Sequence, residues 1–95
     1  MSYIQVSSEN HVAVLTIDRP KALNALNSEV LGELEAAIDA LDLSDVRALI
    51  ITGSGEKSFV AGADIGEMST LTKAEGEAFG KKGNDVFRKI ETLPI

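Results

Sequence analysis

Two short stretches of this 95-residue chain carry residue types that could bind or transform a ligand. Gly53-Ser54-Gly55-Glu56-Lys57-Ser58 sets two glycines beside a lysine, the ingredients of a phosphate cradle. A dinucleotide loop needs a third glycine where Ser58 stands, and a P-loop needs one at Glu56, so this stretch reads as a surface turn. The next residues, Phe59-Val60-Ala61-Gly62-Ala63-Asp64, shrink to three very small side chains before a single acid. A backbone bared in this way lets a ligand approach its N–H groups, and preoriented N–H donors stabilise an oxyanion as it forms. Asp64-Ile65-Gly66-Glu67 has capping-box spacing, which makes Asp64 the N-cap of a short helical turn through Met68 before it is a catalyst. The N–H groups of Ala61, Gly62 and Ala63 then lie just upstream of the positive end of that turn.

Other polar residues have plainer readings. His11 is the lone histidine, sits in a polar turn, and has no second ligand or nucleophile near it in sequence. Glu29, Glu33 and Glu35 form the solvent face of a helix. Thr72-Lys73-Ala74-Glu75 is a capping box, so Glu75, like Glu67, is accounted for as a cap. No serine, threonine or lysine stands beside an identifiable base. The absence of cysteine excludes disulfides, thiolate metal sites and cysteine nucleophiles, and no metal site is expected.

The elements that must position these residues follow from periodicity. Residues 4–7 and 12–17 are β-branched runs around the turn Ser8-Glu9-Asn10-His11 and predict an antiparallel hairpin. The second run is apolar at nearly every position, as in a strand covered on both faces. Pro20 breaks the pattern, so residues 18–27 form a loop. Val30, Leu34, Ala37, Ile38 and Leu41 recur at helical spacing and predict a helix from Ser28 to about Leu43, capped by Asn27 or Ser28. Residues 47–52 form a third, buried strand, giving a right-handed strand–helix–strand unit whose glycine-bearing loop leaves the strand's carboxyl end. A long helix over 73–92 contains Gly76, Gly80 and Gly83, each costing roughly 1 kcal/mol against alanine, and so calls for close packing. Leu93-Pro94-Ile95 reads as entry into a further buried strand, which marks the chain as the N-terminal piece of a longer protein.

Composition narrows the class. With 44% hydrophobic and 25% charged residues the chain is expected to fold and not to be disordered, and its strand–helix–strand order makes it α/β. A net charge of −6 speaks against a general nucleic-acid or anionic-membrane binder. Neither a signal peptide nor an apolar run of membrane-spanning length is present, so the expectation is a soluble cytoplasmic protein.

Two motifs in order, Asp18-Arg19-Pro20-Lys21-Ala22-Leu23-Asn24-Ala25-Leu26 and Gly53-x-Gly55-x-x-x-Phe59-Val60-Ala61-Gly62-Ala63-Asp64-Ile65, are similar to the N-terminal part of the enoyl-CoA hydratase/isomerase (crotonase) family. The chain resembles its bacterial short-chain members most. The resemblance covers essentially all 95 residues and implies the N-terminal segment of one repeated ββα spiral domain, truncated at Ile95. It implies an acyl-CoA lyase interconverting a 2-enoyl-CoA, such as crotonyl-CoA, with a 3-hydroxyacyl-CoA, in fatty-acid or butyrate metabolism. By motif match Ala63 supplies one oxyanion N–H. Lys21, Ala22, Leu23, Ala61, Gly62, Asp64 and Ile65 match positions around coenzyme A, which is part of the substrate and not a separate cofactor. The second donor and two acid/base glutamates are implied to lie beyond Ile95, leaving this segment inactive alone. Double-bond isomerisation, or a non-catalytic CoA-binding or assembly fragment, are the competing expectations. The family's trimers and hexamers imply a homo-oligomer, and uncovered apolar surface implies self-association of this segment.

Overall fold

The computed structural model describes residues 2–95. Strands β1 (Ile4–Glu9) and β2 (Val12–Ile17) pair antiparallel, with Ile4 opposite Ile17 and Glu9 opposite Val12. The connection is only two residues, Asn10 and His11, at φ 53° and 68°. Two positive φ values in succession match the twist of paired strands, which shortens the four-residue turn expected from the sequence and carries β1 on to Glu9. Strand β3 (Ala48–Gly53) lies parallel to β2 on the other side, so the sheet order is β1-β2-β3.

Helix α1 (Ser28–Asp39) makes the crossover from β2 to β3. Asn27 is its N-cap, accepting the Val30 N–H at 2.8 Å. The helix stops four residues short of expectation because the Asp42 carboxylate takes the Ser44 N–H at 3.0 Å and turns the chain. Helix α3 (Lys73–Glu91) opens on a complete capping box: Glu75 N donates to Thr72 Oγ1 and Thr72 N to Glu75 Oε1. Between β3 and α3, a four-residue helix α2 (Ile65–Met68) begins at Asp64.

The core is one-sided. Val30, Leu34 and Ile38 of α1 and Val86 of α3 pack with Ile4, Leu15 and Ile17, and Leu49, Ile51 and Ile90 join at the margin. Both helices therefore cover the same sheet face. Val12, Val14 and Thr16 on the other face are only half-buried, and Ile50 of β3 is 51% exposed. This corrects the reading of β2 as covered on both faces and of β3 as buried; the apolar run is real, but among the described residues no element lies over its outer side.

Two further expectations change. Glu35 is not on a solvent face: it joins Lys82 at 2.5 Å and Lys89 at 3.2 Å, and Lys89 also meets Asp39 at 3.1 Å, bridging α1 to α3. These lysines, Lys82 foremost, hold the Glu35 carboxyl below its usual range. Glu33 likewise turns inward, accepting the Tyr3 N–H at 2.9 Å. Of the α3 glycines only Gly83 has a close neighbour, Leu31 Cδ1, 3.8 Å from where a Cβ would stand. A Cβ at Gly76 or Gly80 would meet nothing within 4 Å, so the close packing expected of them is absent here.

Candidate functional site

The loop after β2 and the loop after β3 come together at one end of the sheet. Pro20–Ala22 forms a single 3-10 turn, and Leu23 and Asn24 follow at φ 53° and 61°. That left-handed pair swings residues 23–26 alongside residues 58–64. Leu23 O accepts the Ala61 N–H at 3.0 Å, Leu26 N donates to Gly62 O at 2.7 Å, and Asp64 N donates to Leu26 O at 2.7 Å. Leu26 and Ala63 are thus partners in an isolated parallel bridge.

The bridge settles which N–H groups face outward. In a parallel bridge the partner is bonded by the carbonyl before and the N–H after the central residue, and the central N–H points away. Among the described residues, the Ala63 N–H has no acceptor, and Ala63 itself is exposed. The Ala61 N–H, expected to be available, is consumed by Leu23. Of the three small residues Ala61 therefore serves to build the loop, while Ala63 presents a donor.

Asp64 behaves as a support. Its Oδ1 accepts the Glu67 N–H at 3.2 Å as the cap of α2, and its Oδ2 lies 2.8 Å from Arg19 Nη1. The Arg19 guanidinium first, and the Glu67 N–H second, hold the Asp64 carboxyl below the usual carboxylate range. Arg19 also donates to Ala25 O at 2.9 Å and lies over the Tyr3 ring, 5.7 Å from its centre. The capping box expected at residues 64–67 is only half formed. Glu67 reaches away from Asp64 to accept the Ser28 N–H at 3.0 Å and the Ser28 hydroxyl, tying α2 to the first turn of α1.

Arg19 and Asn24 stand out among the residues that periodicity passes over. Asn24 is 1% exposed, with Oδ1 accepting the Arg19 N–H at 2.8 Å and Nδ2 donating to Ser54 O at 2.9 Å and Ser58 O at 3.0 Å. The Gly53–Ser58 stretch is accordingly a clamped loop. An asparagine after a proline turn, where φ must become positive, was the one available signal.

Two open grooves flank the Pro20–Ala22 turn. One, of about 500 Å³, runs from Lys21, Leu23 and Asn24 to Ser54, Gly55, Lys57 and Ser58. The other, of about 530 Å³, lies between Tyr3, Arg19 and Ala22. Lys21 is exposed on the ridge between them. Ala22 is half-buried, Leu23 and Gly62 are exposed, and Ile65 is 80% exposed beside Ala63. Among the described residues no group of three or more His, Cys, Asp or Glu could hold a metal ion. No described helix is long and apolar enough to cross a membrane. His11 lies elsewhere, paired to Asp45 at 2.9 Å on the exposed hairpin side.

A sequence profile of enoyl-CoA hydratase/isomerase matches residues 7–95. The chain belongs to that family. It is 52% identical over 94 residues to the short-chain-enoyl-CoA hydratase of Clostridium acetobutylicum, covering 98% of this chain and 36% of that protein. It is also 52% identical over 91 residues to the crotonyl-CoA hydratase of Syntrophomonas wolfei, covering 95% of this chain and 35% of that protein. Among solved structures, the enoyl-CoA hydratase of Bacillus anthracis superposes with a TM-score of 0.93 at 27% identity, over 98% of this chain and 37% of its own. That of Mycobacterium smegmatis gives 0.91 at 35% identity, over 99% and 37%. The fold is thus the N-terminal part of the crotonase fold, and the chain spans about a third of the length of the curated relatives it matches.

Proposed function

We propose that these residues form the N-terminal segment of a single crotonase domain whose whole protein is an acyl-CoA hydro-lyase. It interconverts a short 2-enoyl-CoA, crotonyl-CoA in the first instance, with the 3-hydroxyacyl-CoA. The observation that carries this reading is the outward N–H of Ala63, held in a bridge to Leu26 and braced by Arg19 and Asp64.

Hydration places the oxygen of water on C3 and a proton on C2 of the enoyl thioester. As the oxygen attacks, electron density moves through C2 onto the thioester oxygen, which becomes an enolate. A donor fixed before the reaction stabilises that charge without reorganising, and removal of one such donor typically costs roughly 3 to 4 kcal/mol. Ala63 N–H fills this role. Gly62 and Ala61 leave room for the thioester, and exposed Ile65 and Leu23 offer apolar contact to the acyl-pantetheine chain. Lys21 and half-buried Ala22 sit where the adenine and phosphates would pass, the ammonium countering phosphate charge in an otherwise acidic chain. Asp64 supports the site through Arg19 and its cap.

Neither Glu67 nor Glu75 serves as acid or base in this scheme. Glu67 is occupied by Ser28, and the Thr72 N–H holds the Glu75 carboxyl below its usual range, the wrong direction for a general acid. Those groups and the second oxyanion donor belong to the rest of the domain. Coenzyme A enters as part of the substrate, so the scheme needs no separate cofactor. Exposed Ile50, Phe59 and Phe87 support burial against further segments or subunits, in line with a homo-oligomer.

A fungal relative bears the name enoyl-CoA isomerase/hydratase, at 36% identity over 99 residues, which favours double-bond isomerisation as the second reading. The test is incubation of the full-length protein with crotonyl-CoA, followed by product analysis. Loss of the enoyl-thioester absorbance with appearance of the 3-hydroxy thioester supports the hydro-lyase. No change with crotonyl-CoA, but conversion of a 3-enoyl-CoA to its 2-enoyl isomer, supports the rival.

A further inference from the structure

We infer that Asn24 is a positioning residue that sets where Ala63 presents its N–H, an inference that rests on the reading of Ala63 as an oxyanion donor. One carboxamide holds three backbone segments: the Arg19 turn through Oδ1, and the two ends of the Gly53–Ser58 loop through the two Nδ2 protons. A neutral amide alone among side chains of this size offers one acceptor and two donors in a plane, and all three bonds run to the main chain.

The backbone of the same residue belongs to the template on which the bared loop is laid. Asn24 N donates to Arg19 O at 2.9 Å, Leu23 before it holds Ala61, and Leu26 after it flanks Ala63. Ser58, Ala61, Gly62 and Asp64 are therefore all fixed to one four-residue segment, residues 23–26, with the Asn24 side chain tying the Ser58 end. Gly53 is shaped around that tie. A Cβ there would stand 2.6 Å from Asn24 Nδ2 and 2.3 Å from Phe59 O, so the strand ends in a residue without one to admit the amide. A buried asparagine serving stability alone would need no such path to the reacting donor.

The substitution Asn24→Asp separates the two roles. It keeps the shape, the acceptor and the tolerance of positive φ, but turns two donors into a carboxylate facing two carbonyls. In the full-length protein, near neutral pH and per folded molecule, kcat and kcat/KM for crotonyl-CoA are expected to fall together by about 100-fold. Acidification is expected to restore part of the loss in the variant and not in the parent, since the protonated carboxyl regains one donor. A kcat within about twofold of the parent, a rise in KM alone, or a loss that acid does not relieve would each overturn the inference.

Asn24→Gly, which keeps the left-handed backbone, stands in where Asn24→Asp does not fold. If neither folds, the residue is structural and the inference fails. Amide exchange gives a reading independent of turnover. Faster exchange at Ala61 and Asp64 with α1 protection unchanged supports positioning, and equal exchange or uniform loss of protection contradicts it. A parent protein inert toward crotonyl-CoA would refute the hydro-lyase reading while leaving this exchange measurement to judge Asn24.

Discussion

Arg19 Nη1 lies 2.8 Å from Asp64 Oδ2, and each side chain is about one-fifth exposed (20% and 21%). The pair joins the loop after β2 to the cap of α2, and the Ala63 donor sits one residue before that cap. Both ends are engaged twice, Arg19 with Ala25 O and Asp64 with the Glu67 N–H, so the contact has a defined geometry and is not a loose surface pair.

The first prediction concerns acid. Asp64 has a lowered pKa in the fold, so the unfolded state takes up its proton first as pH falls. The stabilisation from the pair is complete above the ordinary carboxylate pKa of about 4 and is lost as pH drops through the lower folded value. Urea unfolding should show the parent losing stability more steeply below about pH 4 than Asp64→Asn does, with a constant gap between them from about pH 5 upward. Parallel curves throughout the acid range would mean that the pair carries no stability.

Glu67 joins α2 to α1 through Ser28. Glu67→Ala removes an acceptor for an otherwise orphaned N–H in the first turn of α1 and should cost about 1 kcal/mol in denaturant unfolding. Glu67→Gln, which retains a carbonyl oxygen, should cost less. Equal stability of Glu67→Ala and the parent would refute the tie.

Glycines at two places should respond with opposite signs. Gly53→Ala drives a methyl into Phe59 O and the Asn24 amide and is expected to destabilise by roughly 1 to 3 kcal/mol. Gly80→Ala in this 95-residue chain meets open space on α3 and should stabilise by roughly 0.5 to 1 kcal/mol. Thermal melts of the two variants check both signs, and a loss at Gly80→Ala would show that face to be covered.

Much of this architecture is legible from the sequence where the signal is local. The β-branched runs and the Thr72–Glu75 box each lie within a few residues and appear as read, and of the two caps the sequence allows for α1, Asn27 and Ser28, the first is the one formed. Other features are long-range and leave no periodic trace. The Asp64–Glu67 spacing predicts that Glu67 caps its own turn, yet it bonds Ser28 39 residues away. By its neighbours in sequence Asn24 is only a loop residue, although its Nδ2 partners stand 30 and 34 residues on. The motif match singles out Ala63, but that the Ala61 N–H is consumed by Leu23 while that of Ala63 faces outward follows only from the folded loop and its bridge to Leu26. An apolar strand shows that burial is wanted without showing what supplies it, and Ile50 remains half exposed.

The most direct measurement of the central claim is steady-state hydration of crotonyl-CoA by the full-length protein carrying Ala63→Val or Ala63→Gly. Ala63 is exposed, so neither change should unfold the domain, and both keep the N–H. Added branches beside the donor should bar the thioester oxygen and lower kcat/KM by about 100-fold or more, the scale of losing one oxyanion donor, while Ala63→Gly stays within about tenfold of the parent. Parent-like kcat/KM for Ala63→Val, in a protein that hydrates crotonyl-CoA, would contradict the assignment of the Ala63 N–H to the reacting oxygen.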